Sequence, residues 1–351
     1  MKSVFCLTGC IIFAYLLLTQ PQEVILGTMA GGKLCIDLLL PSLFPFMALS
    51  AFLARSGAGE LLARPFLPMT RLLRLPDAAA PVLLASMIGG YPTGAQAVLS
   101  FTEAGRLEAQ DASRLLRCSV NAGPAFVVIA VGERMFGSSS LGWRLLAAQV
   151  FSSLALCLIF CRNGGNPRGV SISSRPSFSS ALVESVSQAT RGILSIGSYV
   201  LLVSILLELL RPLPLPPVFR CALTGFLEVT TGCSAASLLG GRTGALLAAF
   251  FLAFGGCSVC LQVLSFVKPS GIRTNGFFRA RLLGGLLCTA FLLPFLPDVP
   301  EPTVGAALIS ASSALLPAAN SPNRLLGAFC MMAMTAQLFT RIDGCTVHRR
   351  G

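Results

Sequence analysis

The chain has 351 residues, 54% hydrophobic and only 11% charged, with a mean hydropathy of +0.78. That balance excludes a water-soluble multidomain protein, because several runs reach the roughly 20 apolar residues needed to cross a hydrocarbon core. The net charge of +12 sits in short connectors between those runs, where Lys and Arg orient membrane helices, which argues against nucleic-acid binding.

From the N-terminus, the apolar run Val4 to Leu18 behind Lys2 has the outline of a signal peptide. No small-residue cleavage site precedes Thr19-Gln20-Pro21, so it is expected to remain as a first span near 4–20. Further spans are expected near 38–54, 115–132, 142–161, 192–210, 244–267, 280–296 and 324–340, about eight in all. The segments 25–37 and 303–317 are shorter or carry charge and are expected to be interfacial or partly inserted helices. Thirteen cysteines are scattered through apolar stretches and the single histidine is His348, so neither a disulfide framework nor a metal site is readable, and no cofactor is expected. Cys257 and Cys260 form a CxxC inside an apolar run, where small-residue helix packing is the simpler role.

Two apolar segments are interrupted: LLASMIGGYPTGAQAVLSF at 83–101 and LTGFLEVTTGCSAASLLGG at 223–241. In lipid, unpaired backbone is tolerated only where it is buried in protein or lines a cavity, and matching breaks in two halves of a chain point to a transporter's binding site. Each segment is followed by a span with its own break, at Asn121-Ala122-Gly123-Pro124 and at Gly255-Gly256-Cys257-Ser258, and then by a regular span. The Gly, Ser, Pro and Arg-rich stretch 161–177 divides the two sets.

Treating the interrupted segments as re-entrant hairpins places the N-terminus, 55–77, 103–117, 162–191, 268–281 and the C-terminal tail on one side. That side carries 19 of the 26 Lys and Arg residues and the other carries 7, as expected of a cytoplasmic face holding both termini. Asp298 and Glu301 fall outside. A crossing by the first segment alone would move 162–191 and 268–281 outward; crossings by both would restore part of the pattern. The expected fold is an all-α polytopic membrane protein with about eight transmembrane helices plus two re-entrant hairpins in an inverted repeat. Its parts are N-terminal helices at 1–54, a first repeat at 78–161, a cytoplasmic linker at 162–191, a second repeat at 192–296, and C-terminal helices with a basic tail at 297–351.

Candidate binding residues lie at the breaks: Tyr91, Thr93, Gly94, Gln96, Asn121, Gly123, Glu228, Thr230, Thr231, Ser234, Ser258 and Gln262. The glycines can equally serve close helix packing, and the polar side chains can bond neighbouring helices. Pro124 removes a helix donor and frees carbonyls near Val120 for a polar partner or ligand. Glu228 is the sharpest candidate, an ionisable group inside an apolar segment. It either couples transport to protons or faces away and organises its hairpin. Glu208 beside Arg211 reads as an interfacial pair, and Trp143 suits the aromatic belt.

Taken in order, LPSLFPFMALSAFL at 40–53, GGYPTGAQ at 89–96, RLLRCSVNAGPAFV at 114–127 and GFLEVTTGCSA at 225–235 resemble the sporulation integral membrane protein YlbJ family, also called SpoVV. The resemblance runs over roughly 35–296. It implies nucleoside-recognition Gate domains, a likeness to concentrative nucleoside transporters, and movement of dipicolinic acid from the mother cell across the outer forespore membrane. Because that substrate is a dianion and no Lys or Arg stands in the middle of the matched core, half-helix N-termini and the hydroxyls of Thr93, Thr230, Thr231 and Ser234 are the expected anion donors. The implied partners are a small anionic or heterocyclic substrate and the lipid bilayer. A coupling proton or cation and a homo-oligomer are compatible with the pattern. The alternatives are a carrier of nucleosides or other small heterocycles and a non-transporting membrane component of spore assembly. No HExxH, paired intramembrane Asp or Ser/Lys dyad is present, so no enzyme is expected.

Overall fold

The computed structural model describes residues 2–56, 58–161, 177–212 and 214–296, and among them all regular structure is helical. The described residues all fall within one compact unit, Met1–Ile309. The segment 303–317, the span 324–340, Asp298, Glu301 and His348 lie outside the described residues, as does 162–176 of the linker.

After α1 (Lys2–Thr19), Pro21 at the first helical position opens α2 (Pro21–Ser56), a single 36-residue helix. This corrects the separation of 25–37 from 38–54. Lys33 and Asp37 look like a connector in sequence, but both are exposed on one continuous helix. Its Cys35–Leu39 turn is wound as a π-helix just before Pro41, where a donor is missing. Short helical turns over 58–72 lead to α3 (Ala79–Gly89), α4 (Thr93–Glu103) and α5 (Ala109–Cys118). The π-wound α6 (Ala125–Met135) and α7 (Ser139–Cys161) follow. Helix α8 (Phe178–Leu209) is capped by Ser177 Oγ, which accepts from the Ser180 N–H, so 178–191 of the expected linker is helical. Then come α9 (Pro217–Leu227), α10 (Val229–Leu239), α11 (Gly241–Phe254), α12 (Gly256–Val267) and α13 (Phe277–Leu292).

Five helical stretches among the described residues are long and apolar enough to cross a membrane: α2, α7, α8, Gly241–Ser270 and Phe277–Phe295. Of the other expected spans, 4–20 contributes the shorter apolar stretch Leu7–Thr19, and 115–132 is divided between α5 and α6.

One series occurs twice: long helix, helical hairpin, helix interrupted midway, plain helix. It is α2, α3–α4, α5–α6, α7 and then α8, α9–α10, α11–α12, α13. The hairpins fold back tightly. A Cβ on Gly232 would run into the Gly225 Cα, and one on Gly94 would meet the Ser86 side chain at 2.7 Å. In a continuous helix residues 225 and 232 would stand roughly 10 Å apart.

Equivalent elements also pair across the halves. Helices α2 and α8 pack along each other, a Cβ on Gly31 meeting Leu201 Cα at 3.1 Å. Helix α7 packs on α13, with Ser152 Oγ donating to Gly284 O at 2.8 Å. The second arm of each hairpin meets the second half of the other half's broken helix: α4 on α12, and α10 on α6.

Polar contacts sort the connectors by end. Arg106 pairs with Glu60 at 2.5 Å, Arg55 pairs with Glu184, Ser113 Oγ donates to Arg273 O at 2.6 Å and Arg117 to Asn275 O at 2.9 Å. These contacts gather 55–77, 103–117, the start of α8 and the loop before α13 at one end. At the other end Arg144 donates to Phe295 O at 3.3 Å, Arg220 donates to Arg211 O at 3.2 Å, and Glu208 pairs with Arg211 at 3.3 Å. The first hairpin therefore opens toward the first end and the second toward the other.

Candidate functional site

The first break begins where α5 stops at Cys118 and lasts until Pro124 starts α6. Its carbonyls are met from the protein. Cys118 O accepts from Asn121 Nδ2 at 2.9 Å and from Ser153 Oγ at 3.0 Å; Ala122 O accepts from Gln149 Nε2 at 2.8 Å. Ser153 and Gln149 both stand on α7. The first hairpin's turn rests on this break, backbone against backbone. Gly90 has φ +71°, which only glycine adopts freely, and a Cβ there would lie 2.5 Å from the Gly123 N. Gly94 packs on the Ser119 carbonyl, and the Tyr91-Pro92 peptide between them is cis.

The second break repeats the plan with different chemistry. Helix α11 ends at Phe254, and Gly255 and Gly256 have φ +85° and +76°. The freed carbonyls of Ala253 and Phe254 accept from the Arg281 guanidinium on α13, Nε reaching Phe254 O at 3.3 Å. The offset from broken-helix carbonyl to donor is 27 residues in both halves: Ala122 to Gln149 and Phe254 to Arg281.

The second hairpin's turn rests on this break through Glu228, whose Cα would lie 3.1 Å from a Cβ on Gly256. Extended backbone at Glu228 (φ −148°, ψ 132°) directs its carboxylate to the start of α10. Oε1 accepts from the Thr230 N–H at 2.8 Å. Oε2 accepts from the Thr231 N–H at 2.7 Å and from Thr231 Oγ1 at 3.0 Å. Glu228 is thus a helix N-cap, 2% exposed, with its charge set against the positive end of α10.

Tyr91, Gly94, Asn121 and Gly123 meet at the first turn and break, and Glu228, Thr230 and Thr231 form the cap beside the second. Ser258 and Gln262 follow one turn apart on α12. Thr93 Oγ1 turns back to Gly89 O at 3.4 Å. Gln96 accepts from Gln188 Nε2 at 2.9 Å, and Gln188 in turn accepts from Arg55, so Gln96 ties the first hairpin to α2 and α8 rather than facing the breaks. Ser234 is half-buried on α10.

Three further polar side chains bond the carbonyls at the breaks without standing out in the sequence pattern: Arg281, Gln149 and Ser153. Arg281 was assigned to the connector 268–281, and its burial at 1% exposure corrects the expectation that no Lys or Arg stands in the core. Gln149 and Ser153 passed as ordinary members of a plain span. The signal that finds them is register: aligned on their breaks, Gln149 and Arg281 coincide.

Among the described residues, eight buried side-chain atoms have no hydrogen-bond partner, and six of them stand at or beside the turns and breaks. They are Tyr91 Oη, Ser119 Oγ, Gln149 Oε1, Ser258 Oγ, Gln262 Oε1 and Arg281 Nη1. Buried polar atoms are paired in the great majority of cases, so these six concentrate unmet hydrogen-bonding capacity at the turns and breaks.

No family model matches the chain, and no solved structure matches it. It is similar to the sporulation integral membrane protein YlbJ of Bacillus subtilis (strain 168), with 26% identity over 325 residues, covering 79% of this chain and 78% of that protein. Five long apolar helices among the described residues, and a membrane-protein relative aligned over most of both chains, make this an integral membrane protein whose described regular structure is all helical.

Proposed function

We propose that the protein is a sporulation membrane transporter that carries dipicolinic acid from the mother cell across the outer forespore membrane. Its two Gate-like halves form an inverted repeat resembling concentrative nucleoside transporters. The observation that carries this reading is the doubled junction of hairpin turn and helix break, with unpartnered buried polar atoms gathered around it. An element needed only to fill a bilayer gains nothing from such atoms, since each costs about 1–3 kcal/mol when left unpaired. A non-transporting assembly protein would not need them, and the cluster suits a carrier rather than an enzyme.

In this reading the hairpins are re-entrant, the basic end is cytoplasmic with both termini, and the site is exposed alternately to either side as the hairpin-bearing elements move against the rest. The place in sporulation rests on the similarity to YlbJ. A nucleoside or another neutral heterocycle is the second substrate class, favoured by the uncharged groups Asn121, Ser258 and Gln262. The buried Arg281 favours the anion.

Equilibrium binding to the detergent-purified full chain distinguishes these classes. Saturable binding of pyridine-2,6-dicarboxylate, with uridine and adenosine binding more weakly, is expected. Binding of the nucleosides alone would transfer the site to the second class, and binding of none would leave the assembly protein.

A further inference from the structure

We propose that Arg281 Nη1, with the hydroxyls of Ser258 and Tyr91, is the point that receives a carboxylate of the substrate. This deepens the transporter reading and rests on it.

The first ground is charge. Arg281 is 1% exposed, and its Nε and Nη2 are engaged by the carbonyls of Phe254 and Ala253, which are dipoles and leave its net charge in place. The ion pairs among the described residues join Arg55 to Glu184, Arg71 to Asp77, Arg106 to Glu60, Arg114 to Asp111 and Arg211 to Glu208; none includes Arg281. A buried cation without an anion is among the costliest arrangements in a protein, and more so within a bilayer. Glu228, the one buried carboxylate among the described residues, makes no ion pair with Arg281, and both its oxygens are turned to the start of α10. The counter-charge is therefore expected from outside the chain.

The second ground is geometry. By holding Phe254 O, the last carbonyl of α11, the guanidinium is fixed beside the first turn of α12, where the helix presents its positive end. Ser258 Oγ in that turn is buried and unpartnered, as is Nη1 itself. Tyr91 stands in the turn of the other half's hairpin, two residues before α4, which packs on α12, and its buried hydroxyl is also unpartnered. One guanidinium N–H and two hydroxyls match the acceptor-only chemistry of a carboxylate. They come from both halves of the chain, so an anion bound here would bridge the elements that must move relative to each other.

The test compares binding of pyridine-2,6-dicarboxylate and its neutral analogue pyridine-2,6-dicarboxamide to wild type, Arg281→Lys, Arg281→Gln and Ser258→Ala. Arg281→Gln is expected to weaken dianion binding by about 30-fold or more and diamide binding by at least several-fold less than that, because both lose a hydrogen bond but only the dianion also loses the charge. Arg281→Lys should fall between. Ser258→Ala removes only an unpartnered hydroxyl, so it should lose dianion affinity without a lower thermal midpoint, which keeps the test decisive if Arg281→Gln does not fold. Wild-type dianion affinity in a folded Arg281→Gln, or in Ser258→Ala, would overturn the proposal while leaving the transporter reading intact. Failure of wild type to bind either compound would overturn both.

Discussion

Glu228→Ala is expected to lower stability by about 2 kcal/mol or more, because it strips the cap from α10 and leaves the buried N–H groups of Thr230 and Thr231 without acceptors. Glu228→Asp keeps an N-capping carboxylate and should retain most of that stability. Glu228→Gln keeps one acceptor oxygen and turns an amide N–H₂ toward a donor, so it should fall between. The measurement is the thermal midpoint in detergent alongside dipicolinate uptake across pH. A carboxylate that serves as a cap predicts that Glu228→Gln lowers midpoint and uptake together and leaves the shape of the pH profile unchanged. A flattened pH profile with an intact midpoint would instead make Glu228 the proton-coupling group.

The second large effect concerns contact between hairpins and breaks. A Cβ at Gly94 would run into the Ser119 carbonyl, and one at Gly232 into the Gly225 Cα. Both obstacles are backbone, which cannot swing aside as a side chain can. Overpacking of this kind costs about 1–3 kcal/mol in a close-packed interior. At Gly94 it would also push the first hairpin off its break, so Gly94→Ala is expected to abolish uptake even where folded protein is recovered. Gly232→Ala should chiefly reduce the amount of folded protein, since it separates the two arms of one hairpin. Gly32→Ala, with nothing within 4 Å of the added methyl, is the matched control and should be silent. Fluorescence size-exclusion profiles together with uptake rates separate the three.

These effects fall where sequence was most informative. Gly-Gly-Tyr-Pro-Thr-Gly and Asn-Ala-Gly-Pro are legible because turn chemistry inside an apolar run has no cheap explanation in lipid. The first turn and the first break stand at those motifs, between Gly89 and Thr93 and between Cys118 and Ala125. The continuity of α2 was hidden because Lys33, Asp37, Pro41 and Pro45 each look like an interruption, and a π turn with outward-facing charges absorbs them. Arg281 was hidden for the opposite reason. It lies at the edge of an apolar run, where a basic residue ordinarily marks a membrane boundary, and only its three-dimensional partners, the carbonyls of Ala253 and Phe254, show that it has been drawn into the break. Glu228 was found but its geometry was not: a carboxylate that caps its own helix and one that waits for a proton have the same sequence. Gln96 stood in a motif with true break residues and yet bonds Gln188, since successive helical positions face different neighbours.

The most direct test is uptake of radiolabelled dipicolinate into proteoliposomes containing the purified full chain. Saturable, protein-dependent accumulation that is competed by unlabelled dipicolinate and lost in Arg281→Gln is the expected result. A flux no greater than that of protein-free liposomes, from vesicles whose protein is folded and shows the wild-type thermal midpoint, would contradict a transporter built around the two junctions.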